Sequence, residues 1–111
     1  MSITTHVLDT RLGRPAIGVA AALEVKHEAG WSEIARAVTN EQGRITDWSS
    51  AESLSTGTHR IRFATGPYFQ SCGVTGFYPE VTVLFERTDA SQHYHVPLLL
   101  SPFGYSTYRG S

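Results

Sequence analysis

The sequence predicts an all-β sandwich. Short apolar runs are separated along the chain by Gly, Pro, Asp and Ser, which is the pattern of an all-β domain. Seven or eight of these runs follow one another at near-regular spacing, and several alternate apolar and polar residues with a period of two. A length of 111 residues is that of one domain, so we expect residues 1–111 to form a single unit around one core.

The first two predicted strands cover residues 4–9 and 17–27, and the turn between them at 11–16 contains Gly and Pro. Every second residue of the second strand is apolar, which places five side chains on one face: Ile17, Val19, Ala21, Leu23 and Val25. After a turn at 28–30, residues 31–39 are ambiguous. Their apolar side chains fall at helical spacing, and propensity alone favours a helix there.

The middle of the chain continues with a short strand at 44–48, a surface loop at 49–57 and an alternating strand at 58–65. Residues 66–73 predict one short helix, because a proline stands near its start and a glycine at its end. A strong apolar strand follows at 81–87.

The last predicted strand lies in "HYHVPLLLSP", residues 93–102. Its alternation places a core set on one face: Tyr94, Val96, Leu98 and Leu100. The opposite face carries His93 and His95, together with Pro97 and Leu99. A core requires the first set, whereas the two imidazoles on the opposite face call for a separate explanation.

Composition excludes some partners. Nine Lys and Arg against ten Asp and Glu give a net charge of −1, and a chain without a basic stripe is a poor binder of nucleic acid. The lone Cys72 cannot form an internal disulfide. The N-terminus lacks the features of a signal peptide, and no apolar run reaches the ~20 residues of a membrane helix. We therefore expect a soluble, cytoplasmic protein.

Three histidines are the first candidates for chemistry. His6 lies within a strand, and two strand residues at the spacing of His93 and His95 can bind one metal ion. The pattern leaves three roles open, namely solvent-exposed side chains, catalysis, or a zinc site of these three residues. A zinc site lacks a second anchor, because the chain has one cysteine and no HxxxH or CxxC pair.

Arg44 and the C-terminal "YRGS" are the remaining candidates. Arg44 follows a glycine at the start of a strand, where an isolated arginine is commonly a solvated surface charge. The last four residues combine a phenol, a guanidinium and a hydroxyl, although a chain end is commonly frayed. The sequence contains no G-x-S-x-G motif of the kind that presents a nucleophilic serine.

Four segments together resemble the transthyretin-related proteins, specifically the 5-hydroxyisourate hydrolases. They are "THVLDTRLGRPA" (5–16), "FYPEVTVLF" (77–85), "HYHVPLLLSP" (93–102) and "YSTYRGS" (105–111). The terminal "YRGS" distinguishes the hydrolases from the hormone-carrying transthyretins. The resemblance implies a transthyretin-like β-sandwich of two four-stranded sheets with one short helix, and it makes residues 31–39 a strand. It also implies a homotetramer, a dimer of dimers, with active sites in clefts where two dimers meet.

The implied activity is hydrolysis of the cyclic amide of 5-hydroxyisourate, a small-molecule substrate, in urate (purine) degradation. Matching the family's motifs residue by residue assigns the site to His6, Arg44, His95, Tyr108, Arg109, Gly110 and Ser111. In the hormone carriers the equivalents of the two histidines and of Arg44 are other residue types. The resemblance implies no metal and no organic cofactor.

The implied roles follow from the chemistry of each side chain. One of His6 and His95 acts as general base on water while the other orients water or substrate. Arg44 offers planar donors to the ring and its developing charge. Ser111 supplies a hydroxyl or backbone contact, and Tyr108 forms a wall of the cleft. A carrier of small aromatic ligands and a zinc hydrolase stay open as alternatives, although Tyr108 would narrow the channel that a carrier needs.

Overall fold

The computed structural model describes residues 3–48 and 55–111. Within these ranges it contains nine strands and one helix, numbered in chain order: β1 (Ile3–Asp9), β2 (Arg14–Pro15), β3 (Ala20–His27), β4 (Gly30–Val38), β5 (Arg44–Ile45), β6 (Gly57–Phe63), α1 (Thr65–Ser71), β7 (Val81–Arg87), β8 (Tyr94–Ser101) and β9 (Gly104–Thr107). No helix in these ranges is long and apolar enough to cross a membrane.

Two sheets form the predicted sandwich. The first has the order β2-β1-β8-β9, and the two-residue strand β5 pairs with β1 as a fifth member. The second has four strands in the order β4-β3-β6-β7. Every pairing is antiparallel except that of β1 with β8, which is parallel and joins opposite ends of the chain. The transthyretin-like sandwich with one short helix is thus confirmed, with β5 added to the expected four strands of the first sheet.

The core lies between the two sheets and follows the predicted alternation. In β8 the four apolar residues of the core set are buried: Tyr94, Val96, Leu98 and Leu100. Val7 of β1 and Ile61 of β6 are completely buried on the inner faces of the two sheets. Alternate residues point to opposite faces of a strand, so burial of this set directs the neighbouring side chains of β1 and β8 outward.

Residues 31–39, whose apolar side chains have helical spacing, lie almost entirely in strand β4, as the resemblance implied. Pairing with β3 thus overrides their intrinsic preference for a helix. β4 pairs with β3 in a register that passes from Leu23–Ala35 to Glu24–Glu33, which leaves Ile34 as an extra residue on β4. Such a β-bulge turns two adjacent residues toward similar surroundings. Ile34 is therefore half-buried beside the buried Ala35, and this adjacency imitates a helical stripe.

Several predicted boundaries shift. Ile17 lies before β3 and is 56% exposed, so the prediction that it shares the buried face of that strand was wrong. The strand expected at 44–48 ends after Ile45, and the expected helix runs from Thr65 to Ser71. The predicted turn at 11–16 contains the short strand β2. Most of the predicted loop, residues 49–54, lies outside the described residues.

A buried carboxylate ties the helix to the first sheet. Asp9 at the end of β1 is completely buried and accepts a 2.7 Å hydrogen bond from the Tyr68 hydroxyl of α1. The Arg11 amide donates to the other carboxylate oxygen at 3.0 Å. Hydrogen bonds of this kind compensate the loss of hydration of a buried charge. The contact fixes α1 against the end of β1, the strand that carries His6.

Candidate active site

Strand pairing brings the two predicted histidines to one face of the first sheet. The parallel register of β1 and β8 sets Thr4 opposite His95 and His6 opposite Pro97. Ile3, Thr5 and Val7, which alternate with Thr4 and His6, are buried. His6 and His95 therefore lie on the outer face of adjacent strands, as the sequence predicted.

Arg44 joins them from the edge of the same sheet. In the antiparallel pairing of β1 with β5, Arg44 stands directly opposite His6. Gly43 precedes it at φ +74°, and a Cβ atom there would lie 2.9 Å from the Pro15 side chain. Only glycine fits this backbone conformation and close approach without strain. The glycine that marked Arg44 in the sequence therefore permits the turn that presents the arginine.

An open cleft of about 530 Å3 covers this face. It is lined by eight residues: Thr4, Arg44, Thr46, His93, His95, Tyr108, Gly110 and Ser111. Five of the predicted site residues are among them. His6 is not, although it is the direct neighbour of Arg44 across the strands.

The C-terminal segment is held against His95 by its backbone. The Gly110 amide donates a 2.9 Å hydrogen bond to the His95 carbonyl, and the two residues form an isolated antiparallel bridge. A Cβ atom on Gly110 would collide with Cδ2 of the His95 ring and would lie 3.1 Å from its Cγ. The glycine of "YRGS" thus allows the tail to pass directly over the imidazole.

Thr4 forms hydrogen bonds with two histidines, although no sequence motif marks it. Its hydroxyl oxygen lies 2.7 Å from Nδ1 of His95 and 3.0 Å from Nε2 of His93. The two rings are nearly parallel, with an interplanar angle of 14° and centroids 6.4 Å apart. The position of Thr4 two residues before His6, on the same strand face, was the only signal available in the sequence.

The surroundings of both histidines favour the neutral imidazole. Burial lowers the pKa of His6 below its ordinary value, and the neighbouring Arg44 charge lowers it further, against a hydrogen bond with the Gln42 backbone. Burial also lowers the pKa of His95, followed by the charges of Arg44, His93 and His6. A neutral imidazole has a free lone pair, so both side chains can accept a proton at neutral pH.

The side chain of Arg109 lies outside the cleft that the other C-terminal residues line. Its guanidinium carbon is 4.7 Å from the centroid of the Tyr94 ring, and its Nη2 donates to Gln92 Oε1 at 3.0 Å. Arg109 borders a second pocket of about 310 Å3 and is not among the residues that line the cleft. Its place on Tyr94 anchors the tail, and substrate binding by Arg109 stays a prediction. Tyr108 borders both cavities and is 57% exposed.

The geometry does not favour the alternative in which His6, His93 and His95 bind zinc. Among residues 3–48 and 55–111, no three His, Cys, Asp or Glu side chains are grouped as metal ligands. The nearest nitrogens of His93 and His95 face the Thr4 hydroxyl, which shares hydrogen bonds with both. The arrangement therefore suits proton transfer between imidazole and a bound water better than coordination.

The sequence and the fold are both similar to those of known proteins. Residues 3–110 match the HIUase/Transthyretin family. A probable 5-hydroxyisourate hydrolase of Caenorhabditis elegans is 48% identical over 111 residues, which cover 99% of this chain and 82% of that protein. The structure of Klebsiella pneumoniae 5-hydroxyisourate hydrolase aligns with a TM-score of 0.84 and 37% identity over 98% of both chains. Transthyretin from Sparus aurata aligns with a TM-score of 0.90 and 33% identity, over 97% of this chain and 95% of the other. On sequence and architecture together, the chain belongs to the HIUase/transthyretin family.

Proposed function

We propose that the chain is a 5-hydroxyisourate hydrolase, which opens the cyclic amide of 5-hydroxyisourate in urate degradation. The observation that carries the proposal is the convergence of His6, Arg44, His95 and the "YRGS" tail on one sheet face. The relatives named for this activity support it, since they match the chain over nearly its whole length. The Sparus aurata transthyretin shares the fold, so the distinction from a carrier rests on these side chains.

In this proposal His95 is the general base. It lines the cleft and its lowered pKa favours the neutral form, which can take a proton from water. The activated water attacks the ring carbonyl, the C–N bond of the tetrahedral intermediate breaks, and the imidazolium returns the proton to the departing nitrogen. The product keeps the new carboxylate. His6, beside Arg44 and outside the cleft lining, orients water or substrate.

Arg44 is proposed to stabilise the oxyanion of that intermediate. Its planar donors match the urea-like edge of the ring and the charge that develops on the carbonyl oxygen. Ser111 and Tyr108 border the same cleft, the first as a hydroxyl or backbone contact to substrate and the second as a wall. The chemistry requires a base and an oxyanion stabiliser, both of which this chain's own residues can supply.

A homotetramer, as a dimer of dimers, is the proposed assembly. Large exposed apolar side chains support it: Leu12, between β1 and β2, is 44% exposed, Ile17, between β2 and β3, is 56% exposed, and Phe103, between β8 and β9, is 72% exposed. Large apolar side chains left exposed in a single chain are typical of surfaces that another subunit covers. Size-exclusion chromatography with an activity assay on each fraction tests the assembly, and a fully active monomer would refute it. Residence in the cytoplasm stays a prediction from the sequence.

The direct test is hydrolysis of freshly generated 5-hydroxyisourate, followed by its ultraviolet decay against an enzyme-free blank. We expect His6→Ala, Arg44→Ala and His95→Ala each to lower kcat/KM by about 10²–10⁴, the usual range for loss of a general base or an oxyanion donor. His27 is exposed at the end of β3, so His27→Ala is the matched control and should retain wild-type activity.

Two results would contradict the proposal. A wild-type protein that decays the substrate no faster than the blank would refute hydrolysis and leave a carrier of small aromatic ligands as the alternative. His93→Ala should cost much less than His95→Ala, and equal losses would instead favour a zinc hydrolase. Metal analysis of the purified protein and inhibition by a chelator would then decide that question.

A further inference from the structure

We propose that Thr4 is a positioning residue that holds His95 in the tautomer with an unprotonated Nε2, and that His93 completes this hydrogen-bonded chain. The inference rests on the proposed function, in which His95 is the general base. It assigns a role to two side chains that the family motifs leave without one. All three side chains line the cleft, and the Thr4 hydroxyl lies between the two imidazoles.

The geometry limits the hydrogen bonds that the hydroxyl can make. Thr4 Oγ1 lies within hydrogen-bond distance of one nitrogen of His95 and one of His93, at 2.7 and 3.0 Å. A hydroxyl carries one proton and two lone pairs, so it cannot donate to both nitrogens, and at least one of the two imidazoles must donate to it. The two neutral histidines are therefore coupled: if His95 presents an unprotonated Nδ1 to the hydroxyl, His93 must present an N–H.

Catalysis requires that His95 be a donor to this hydroxyl. A neutral imidazole has one N–H and one lone pair, and a base needs its lone pair toward the water. If Nδ1 of His95 donates to Thr4, then Nε2 is unprotonated, and the Thr4 hydroxyl keeps its own proton for Nε2 of His93. If the hydroxyl instead donated to Nδ1, His95 would present an N–H at Nε2 and could not accept a proton there.

Packing makes Thr4 a fixed element of this chain. Thr4 is 9% exposed and lies on a central strand of the sheet, directly opposite His95 in the parallel register. Gly110 passes over the Cδ2 edge of the ring, next to Nε2, and limits its rotation from the other side. Threonine at Thr4 thus acts on His95 as the third group of a catalytic triad acts on its histidine, through orientation and tautomer.

The first test replaces the hydroxyl by a methyl group of the same shape. Thr4→Val should lower kcat about tenfold with KM within about twofold, because one hydrogen bond contributes on that scale. Thr4→Ser restores a hydroxyl and should recover kcat to within about threefold of the wild type. Thr82→Val, on the outward face of the second sheet, is the matched control, because its hydroxyl donates to the exposed Glu80 and its strand lies in the sheet that does not carry the cleft.

Imidazole 15N chemical shifts supply a readout that needs no substrate. In wild-type protein above the pH at which His95 titrates, Nδ1 should be the protonated nitrogen. Thr4→Val should show a mixture of tautomers. His93→Leu removes the acceptor beyond Thr4 and should also raise the Nε2–H population, whereas His93→Gln offers an amide oxygen and should retain Nδ1–H.

The outcomes separate this inference from the proposed function. A wild type inactive on 5-hydroxyisourate refutes the function, while the tautomer measurement still tests the chain. Predominant Nε2–H in wild-type His95, or Thr4→Val with the wild-type tautomer and a kcat within twofold of wild type, overturns the inference. Equal kcat losses in Thr4→Val and Thr4→Ser would also overturn it, because a purely steric role would then suffice.

Discussion

The tail glycine offers a sharp test of the site, because Gly110→Ala adds one methyl group directly against the His95 ring. That methyl would collide with Cδ2 and would lie 3.1 Å from Cγ. Carbon atoms in contact prefer about 3.5–4.0 Å, so the ring or the tail must move by on the order of 1 Å. The backbone of Gly110 is not in the left-handed region, so the substitution adds steric conflict without dihedral strain.

A displacement of this size should lower kcat/KM strongly and the stability of the fold only slightly. A 1 Å misplacement of a catalytic group can lower turnover about 10²-fold. The melting temperature should change little, because Gly110 lies in the half-exposed tail beyond the last strand. We therefore expect Gly110→Ala to lower kcat/KM on 5-hydroxyisourate about 100-fold while the folded fraction stays unchanged.

The matched control is Gly104→Ala, because a Cβ there meets only Ser101 Oγ at an ordinary 3.6 Å. Both variants would be assayed for kcat/KM after circular dichroism and size-exclusion chromatography confirm equal folding and assembly. Gly104→Ala should stay within about threefold of the wild type. If Gly110→Ala had the same kcat/KM as Gly104→Ala, the tail could move away from His95 without loss of activity. The close approach of Gly110 to the His95 ring would then have no part in positioning the imidazole.

Three further outcomes follow from charge and burial. Arg44→Gln should move the acidic limb of the kcat/KM profile to higher pH, because the guanidinium charge helps to lower the pKa of His95, and an unmoved limb would contradict this coupling. His59 is completely buried, its Nε2 has no hydrogen-bond partner within the described residues, and burial lowers its pKa from 6.5. The contribution of neutral His59 to stability is therefore present above that pH and lost as pH falls through the folded-state pKa. His59→Phe should make the free energy of unfolding, measured with urea, depend less on pH in acid. The same pH dependence in the variant and the wild type would contradict this role of His59. Tyr68→Phe should lower the free energy of unfolding by about 1–3 kcal/mol, since the buried Asp9 carboxylate loses its 2.7 Å donor, and an unchanged urea midpoint would show that water replaces the hydroxyl.

Alternation predicted most of the sandwich because the sheets bury one face each. It failed where a single residue interrupts the period: the bulge at Ile34 gives β4 the spacing of a helix, and local propensity cannot register it. Ile17 fits the period of β3 but lies before the strand begins, so its side chain stays exposed. Pattern therefore predicted which segments are strands more reliably than where each strand starts.

The site was predictable only in part, and for a related reason. The motifs named His6, Arg44 and His95, but their meeting depends on the parallel register of two strands about 90 residues apart, which no local pattern encodes. Thr4 acquires its contacts with His93 and His95 through that register alone. The side chain of Arg109 packs on Tyr94, a core residue that the alternation placed correctly, and substrate binding by Arg109 stays a prediction.

The parallel pairing of β1 with β8 also constrains how the protein is made. β1 leaves the ribosome before the other strands, yet its central neighbour in the sheet, β8, is synthesised after the whole second sheet. Until then one edge of β1 lacks the strand that pairs with its backbone groups, a state that favours misassociation. Closing so long a loop slows folding, with β-sandwiches typically in the range of milliseconds to seconds. His6, Thr4 and His95 therefore come together only in the completed fold, and no partially synthesised chain lacking β8 can carry the site.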